Sequence, residues 1–245
     1  MKRLILVIGI LCSLVTLLQL DALAYTVEWG TWSYLSVTSA LATVNQTDLD
    51  HTHDSSFISS SADRYINANW VAHGYAEAQG SPNELKSTSQ AWSIPDRYAA
   101  GVGVVSVWNT FSVVGGPLNQ VVPSYLIANL TGALSNGFNG YSNSNVSARI
   151  FINGNEKIEF SESLLGSGYV SVDEDKTTMI NTKLGKQYLL LAELQTSALT
   201  NGAFASSIFS PESFTFDVIP TPEPATLSLL GLGLLGLLRF RKKKV

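Results

Sequence analysis

The chain has 245 residues, of which 45% are hydrophobic and 14% are charged, and its formal net charge is −4. Residues 25–224 hold eight Lys and Arg against eighteen Asp and Glu, a formal charge of −10, and the other seven basic residues lie at the two ends. An acidic central region repels phosphate backbones, which argues against nucleic-acid binding. The single cysteine is Cys12, so no disulfide is expected to support the central region.

The N-terminal residues have the order of a secretory signal peptide. A positively charged start is followed by an uncharged, mostly apolar stretch over residues 4–20, and Ala22 and Ala24 form an A-x-A cleavage site. We therefore predict a signal peptide over residues 1–24, used by the general secretion machinery and cut by signal peptidase. The alternative is an uncleaved N-terminal anchor.

Residues 25–218 are predicted to form one all-β body with a jelly-roll-like β-sandwich fold. Short runs of alternating apolar and polar residues recur, as in sandwiches and barrels. The clearest run covers residues 146–160, where Asn153 and Gly154 accept the positive φ angles of a type I′ hairpin turn. Further strands are predicted over residues 25–29, 33–44, 70–78, 101–107, 168–172, 187–194 and 214–218.

Two segments of the body are predicted to depart from the strand pattern. Residues 117–134 are the best helix candidate, although Pro123 interrupts the segment. Residues 48–63 are strongly polar and are expected to form a loop.

Two clusters of ligand-type residues are weak candidates for binding a metal ion. His51 and His53 would share one face of a strand, and two imidazoles with a carboxylate suit Zn²⁺. The alternative there is a solvated polar loop. Asp173 and Asp175 carry the oxygen ligands that Ca²⁺ prefers, but the segment lacks the EF-hand spacing, and the alternative is a charged turn. No cofactor is predicted.

The aromatic residues allow two interpretations. Tryptophan is usually buried, and a body without cysteine needs large core side chains. Exposed aromatic faces, however, are surfaces on which sugar rings stack. The five tryptophans of the chain all fall in the body, at Trp29, Trp32, Trp70, Trp92 and Trp108.

Catalytic motifs are missing from the predicted mature sequence, which has no cysteine, no G-x-S-x-G, no P-loop and no H-E-x-x-H. In principle a glycosidase pair could come from Glu156, Glu159 and Glu162, but their charge pattern fits the solvent-exposed face of a hairpin better. We therefore expect that the protein is not an enzyme.

The C-terminal residues consist of three parts in a fixed order. A Pro-rich linker over residues 219–224 contains Pro222, Glu223 and Pro224, and an uncharged apolar run follows over residues 225–238. As a helix this run would be about 21 Å long, short for a hydrocarbon core of about 30 Å, and we predict a transmembrane helix.

A basic tail over residues 239–245 follows the apolar run. Lys and Arg are retained on the cytoplasmic side of a membrane, so this tail should stop transfer and leave the body outside. The cations concerned are Arg239, Arg241, Lys242, Lys243 and Lys244.

This three-part order resembles the PEP-CTERM sorting signal of Gram-negative bacteria. Pro222, Glu223 and Pro224 match its motif, residues 225–227 match the usual continuation, and the tail matches the basic end, with more Lys than Arg. The resemblance implies processing near the motif by an exosortase, a membrane-embedded cysteine transpeptidase. It implies an inner-membrane-anchored precursor with its body in the periplasm, and later the cell surface or matrix. Residues 188–218 also resemble the closing hairpin that is common before this signal.

The function expected is that of an exported, non-enzymatic surface or matrix protein associated with exopolysaccharide or biofilm. The first alternative is a carbohydrate-binding module that uses exposed aromatics, and the second is a secreted glycan hydrolase. Burial of all five tryptophans would favour the structural role, and exposed coplanar aromatics would favour the module. A hydrolase needs a cleft with two carboxyl groups roughly 5–9.5 Å apart.

Overall fold

The computed structural model describes residues 25–42, 47–52, 58–66, 69–138 and 140–221, and for residues 47–71, 207 and 209–212 the description covers the backbone. All regular elements in this part of the chain are β-strands. They are β1 Thr26–Ala42, β2 Thr47–Thr52, β3 Ile58–Ile66, β4 Asn69–Ser81, β5 Glu84–Ser93, β6 Tyr98–Val114, β7 Val121–Asn136, β8 Tyr141–Ile152, β9 Asn155–Leu165, β10 Gly168–Lys183, β11 Gln187–Asn201 and β12 Phe204–Pro220.

The strands form two antiparallel six-stranded sheets that lie face to face. The first sheet has the order β2-β1-β6-β11-β8-β9, and the second has the order β10-β7-β12-β5-β4-β3. Strands at corresponding positions face each other. Strand β6 packs over β4 and β5, while strand β9 packs over β7 and β10. The all-β prediction is therefore confirmed, and the finer jelly-roll description stays a prediction.

One broad half of the sandwich holds the large side chains of the core. Each strand there turns alternate residues inward, as in β7, where residues 122–136 alternate between buried and more exposed. The largest fully buried side chains include Phe111, Phe160, Phe214 and Leu126. The rings of Phe160 and Phe214 meet edge to face across the two sheets, with centroids 5.8 Å apart.

The other half is thin, because small residues face each other there. Its core cluster consists of alanines alone, namely Ala40, Ala42, Ala72, Ala91, Ala99, Ala198 and Ala205. A Cβ atom on Gly101 would overlap the carbonyl oxygen of Tyr75, and one on Gly74 would overlap that of Ala100. The absence of side chains at these glycines thus lets the two backbones approach closely.

The predicted hairpin is confirmed between β8 and β9. Its turn residues Asn153 and Gly154 have φ angles of 51° and 78°, the left-handed pair that a type I′ turn requires. The Asn153 side-chain oxygen also accepts a hydrogen bond from the Leu189 amide at 3.0 Å, which joins the turn to β11.

The predicted helix over residues 117–134 is wrong, because most of this segment is strand β7. Burial alternates with a period of two, and this pattern prevails over the local helix-like composition. Pro123 lies on the outer face near the start of the strand, where its carbonyl oxygen accepts hydrogen bonds from Thr221. A proline near a strand start removes little from the ladder.

Two further predictions about the body are corrected. The polar segment 48–63 is not one loop, since β2 and β3 occupy its two sides and residues 53–57 lie outside the described part. Both strands are sheet edges, where polar residues are tolerated. Residues 188–218 do not form a closing hairpin, because β11 belongs to the first sheet and β12 to the second.

Candidate functional site

The described chain begins and ends at the same end of the sandwich, which we call the exit end. The Tyr25 hydroxyl accepts a hydrogen bond from Gln120 Nε2 at 2.9 Å. Three residues further on, the Pro123 carbonyl accepts hydrogen bonds from the Thr221 amide at 2.9 Å and the Thr221 hydroxyl at 2.7 Å. The chain therefore enters the body directly after the predicted signal peptide and leaves it directly before Pro222 at neighbouring places.

The last strand carries the chain to this exit. β12 is paired on both sides, with β5 and with β7, over residues 205–208 and again at residues 214 and 215, with an irregularity between the two stretches. The Phe216 amide still donates to the Asn83 carbonyl at 3.1 Å, and residues 217–220 then pair with β7 alone. The strand continues through Pro220, so the body holds the chain until one residue before the Pro-Glu-Pro sequence.

Aromatic side chains are partly exposed on the flank of the exit end. Trp29 and Trp32 are 37% and 40% exposed. Trp29, Phe111 and Tyr188 occupy one register across β1, β6 and β11, and successive ring centroids are 5.6 and 5.3 Å apart. Trp32 stacks on Tyr34 with centroids 5.5 Å apart and planes inclined by 13°.

The tryptophans as a group are not the buried core set that a purely structural role predicts. Trp92 and Trp108 are half-buried on the outer faces of the second and first sheets, and the side chain of Trp70 lies outside the described part. Hence none of the four tryptophans with described side chains is fully buried.

The opposite end, which we call the far end, carries a second set of exposed aromatics. Tyr98 and Tyr141 lie on either side of Asn201 in the same register across β6, β11 and β8. Both tyrosines are 50% exposed, and two strand spacings place their Cα atoms roughly 10 Å apart. Phe138 and Tyr169 are also exposed at this end.

The acidic candidates for metal binding lie in a strand, so the alternative of a charged turn is wrong. Asp173 and Asp175 are two positions apart on the outer face of β10, and Asn129 Nδ2 donates to the Asp175 carboxylate at 2.8 Å. Glu174 points to the other face and lies 3.7 Å from the Lys176 ammonium. Among the described residues no group of three His, Cys, Asp or Glu is placed to hold a metal ion.

The histidine candidates are only partly located. The backbone of His51 lies in β2 opposite Val37, while its side chain and the whole of His53 lie outside the described part. The zinc hypothesis for these two residues stays a prediction.

The glutamates of the β8–β9 hairpin do not share one face, since Glu159 lies on the outer face of β9 and Glu162 points to the opposite, partly buried face. Glu159 forms an ion pair with Arg149, with the guanidinium Nη2 3.0 Å from the carboxylate, and Glu156 is exposed at the start of β9. Two shallow cavities of about 330 and 220 Å³ lie near the exit end, and their only charged lining residues are Lys157 and Asp217 respectively. Neither cavity brings two carboxyl groups together.

Among the side chains that the structure describes, Glu77 is a carboxyl group with a shifted pKa. Burial raises the pKa of Glu77 above its ordinary value. The Tyr75 hydroxyl donates a hydrogen bond to its carboxylate, and both side chains lie on the outer face of β4. Its hydrogen-bond partner is a tyrosine on the same outer sheet face, so Glu77 bears on stability rather than on a site.

Residues 220–243 match the family model of the PEP-CTERM protein-sorting motif, which confirms the resemblance seen in the sequence. The fold and this match together define an all-β protein that carries a PEP-CTERM sorting motif. The motif implies export, a membrane-anchored precursor and an exosortase as processing partner. No curated protein matches the chain.

The residues predicted to take part in sorting lie outside the described part of the chain, apart from residues 219–221 of the linker. This holds for Pro222, Glu223 and Pro224, for the apolar run 225–238 and for the basic tail. It holds equally for Ala22 and Ala24 of the signal peptide. Across the residues that the structure describes, no helix is long and apolar enough to cross a membrane.

The sequence did not predict the exit end or the far-end aromatic row. Both depend on which distant strands pair and in which register, and a single sequence carries no direct signal for that. Asn201 and the two tyrosines that flank it are separated by 60 and 103 positions along the chain.

Proposed function

We propose that the protein is an exported, non-enzymatic component of the cell surface or extracellular matrix, released from its membrane tether by an exosortase. The proposal is supported above all by the sorting motif at residues 220–243, which begins at the last residue of β12. The body ends immediately before Pro222, so the recognition sequence follows a fixed strand end and is offered to a membrane enzyme at a defined place.

The absence of a catalytic role is part of this proposal. The glutamates that came closest to a glycosidase pair are divided between the two faces of β9, and the outward-facing Glu159 forms an ion pair with Arg149. A hydrolase would need two carboxyl groups facing each other across a cleft.

Substitution of the recognition sequence tests the sorting step. Replacing Pro222, Glu223 and Pro224 by alanine should leave an unprocessed precursor in the membrane fraction, measured as intact mass on an immunoblot. A matched control replaces Pro211 and Glu212, the same dipeptide in β12, and should be processed normally. Normal processing of the triple variant would contradict the proposal.

A second function, glycan binding, is favoured by the far-end row of Tyr98, Asn201 and Tyr141. Two half-exposed phenol rings with an amide between them offer stacking faces and hydrogen-bond groups on the outer face of the first sheet. This is the arrangement expected of a surface that attaches the processed body to extracellular polysaccharide.

Binding of the protein to purified exopolysaccharide tests this second function. Stacking on an aromatic side chain contributes roughly 1–3 kcal/mol per ring for nucleic-acid bases, so Tyr98→Ala and Tyr141→Ala should each weaken binding by about tenfold. Tyr125→Ala removes a comparably exposed tyrosine near the exit end and is the matched control. Equal affinity of all three variants and the wild type would rule the far-end row out.

A further inference from the structure

Three exposed side chains form an apolar row beside the point where the chain leaves the body. Met179, Tyr125 and Ile219 share one register across β10, β7 and β12 on the outer face of the second sheet. They are 63%, 43% and 46% exposed. Two strand spacings make the row roughly 10 Å wide, and we call it the exit row.

The exit row continues toward the exit end. Val121 at the start of β7 is 53% exposed, and Leu118 in the preceding loop is 79% exposed. Lys183 lies opposite Val121 in register, and Lys186 follows in the adjacent turn. One carboxylate, Asp217, occupies the next register position of β12, where it accepts a hydrogen bond from the Val218 amide at 2.8 Å. Exposed apolar residues flanked by cations are typical of an interaction surface.

The place where the chain leaves the body specifies what this surface meets. Only Thr221 and Pro222–Pro224 separate β12 from the predicted span that begins at residue 225. The four Cα–Cα steps from Thr221 to residue 225 reach at most about 14 Å when fully extended, so in the tethered precursor Thr221 lies within about that distance of the bilayer. Ile219 is two residues before Thr221, and the other members of the exit row are its neighbours in the sheet.

We propose that the exit row rests on the lipid surface of the membrane while the C-terminal tether is intact. This inference rests on the proposed function, because it needs the anchored precursor. A tyrosine between aliphatic side chains suits the membrane interface, which its ring enters while its hydroxyl stays hydrated. Lys183 and Lys186 add attraction to anionic headgroups.

The contact between the exit row and the lipid surface depends on the C-terminal tether. Three to five side chains bury too little area for stable binding on their own, but the tether keeps them at a high effective concentration next to the lipid. Cutting near Pro222 removes that advantage, so the body leaves the surface once it is processed. While the tether is intact, the far end points away from the membrane.

Fluorescence quenching in vesicles tests this orientation on the full chain. With Cys12 replaced by serine, single cysteines are introduced as Met179→Cys and, as a matched control, Tyr169→Cys, and each is labelled with an environment-sensitive dye. Both positions lie on the outer face of β10 and are 63% and 67% exposed. They are ten residues, or roughly 33 Å, apart along the strand.

The vesicles contain phosphatidylethanolamine and phosphatidylglycerol with a fraction of nitroxide-labelled lipid. We expect several-fold stronger quenching at position 179 than at position 169, and Leu118→Cys should behave like position 179. Equally weak quenching at all positions, in protein that floats with the vesicles, would overturn the inference and leave the sorting proposal intact. Shielding of position 179 from aqueous iodide without lipid quenching would indicate a protein partner and would also overturn it. Protein that does not float with vesicles would instead contradict the anchored precursor.

Discussion

At the scale of single residues, Glu77 couples stability to pH. Its raised pKa means that the folded state binds a proton more tightly than the unfolded chain does. The free energy of unfolding therefore decreases as the pH rises from the ordinary range of a glutamic acid through the raised pKa in the folded state. Above that pKa the carboxylate is charged although it is partly desolvated, and the stability that the protonated form contributed is lost.

Glu77→Gln should remove this pH dependence. The amide is neutral at all pH values, and its carbonyl oxygen still accepts the hydrogen bond from Tyr75. We expect the variant to be at least as stable as the wild type at neutral pH. Urea unfolding at a series of pH values from acid to neutral measures the effect, with Glu156→Gln on the exposed start of β9 as control. An unchanged slope of the free energy of unfolding against pH in Glu77→Gln would contradict this account.

Lys176 shows how one residue protects an open side of the sandwich. It projects from edge strand β10 toward the inner side, where its ammonium donates to the Glu159 carbonyl of edge strand β9. The same ammonium lies 4.5 Å from the centroid of Phe160. An inward-pointing charge on an edge strand opposes pairing with another chain.

At the scale of strands, the alternation of apolar and polar residues predicted most of what was found. The hairpin at residues 153 and 154 followed from two residues whose preferred φ angles define the turn. The prediction failed over residues 117–134. Small and apolar residues occupy both odd and even positions there, so the alternation typical of a strand is not visible in the sequence. It also failed over residues 48–63, because polar edge strands lack an apolar face to alternate.

Which strands pair with each other could not be predicted from the sequence. β6 lies between β1 and β11, which are distant from each other along the chain, and the loops between them specify neither partner. The exit row and the far-end row are consequences of this pairing. Candidate residues that lie within one segment could therefore be predicted from the sequence, while sites assembled from three separate strands could not.

The thin half of the sandwich makes a prediction that belongs to this scale. Gly101→Ala should destabilise the body by roughly 1–3 kcal/mol, because its Cβ would overlap carbonyl oxygens of β4 and β5 in the facing sheet. The sheets must separate along the alanine cluster to admit it. Gly137→Ala is the control, since its Cβ would come no closer than 3.3 Å to a neighbouring atom. Equal urea midpoints for both variants would show that the close approach of the two sheets is not needed for stability.

At the scale of the whole molecule, the two ends of the body present different residues. The exit end collects the first and last described residues, two lysines and the exit row. The far end presents Tyr98, Asn201 and Tyr141. The described part of the chain contains twelve strands that alternate in direction, and an even number of strands returns the chain to the end where it started.

The shared exit predicts that the precursor tolerates two membrane anchors at once. Replacing Ala22 and Ala24 by leucine removes the small residues that signal peptidase requires, so the N-terminal apolar segment should stay attached. Since Tyr25 and Thr221 leave from neighbouring places, the body keeps the same end toward the membrane and no strand has to move. C-terminal processing should then proceed close to the wild-type rate.

Mass spectrometry of the membrane fraction measures this, because the expected product retains residues 1–24 and has lost the basic tail. Cys12→Ser, a change within the same apolar segment, is the control and should be cut at both ends. Accumulation of a chain that is uncut at both ends would mean that the N-terminal anchor holds the recognition sequence away from its enzyme. In that case the two exits, although adjacent in the folded body, would not be equivalent with respect to the membrane, and release of the N-terminus would have to come first.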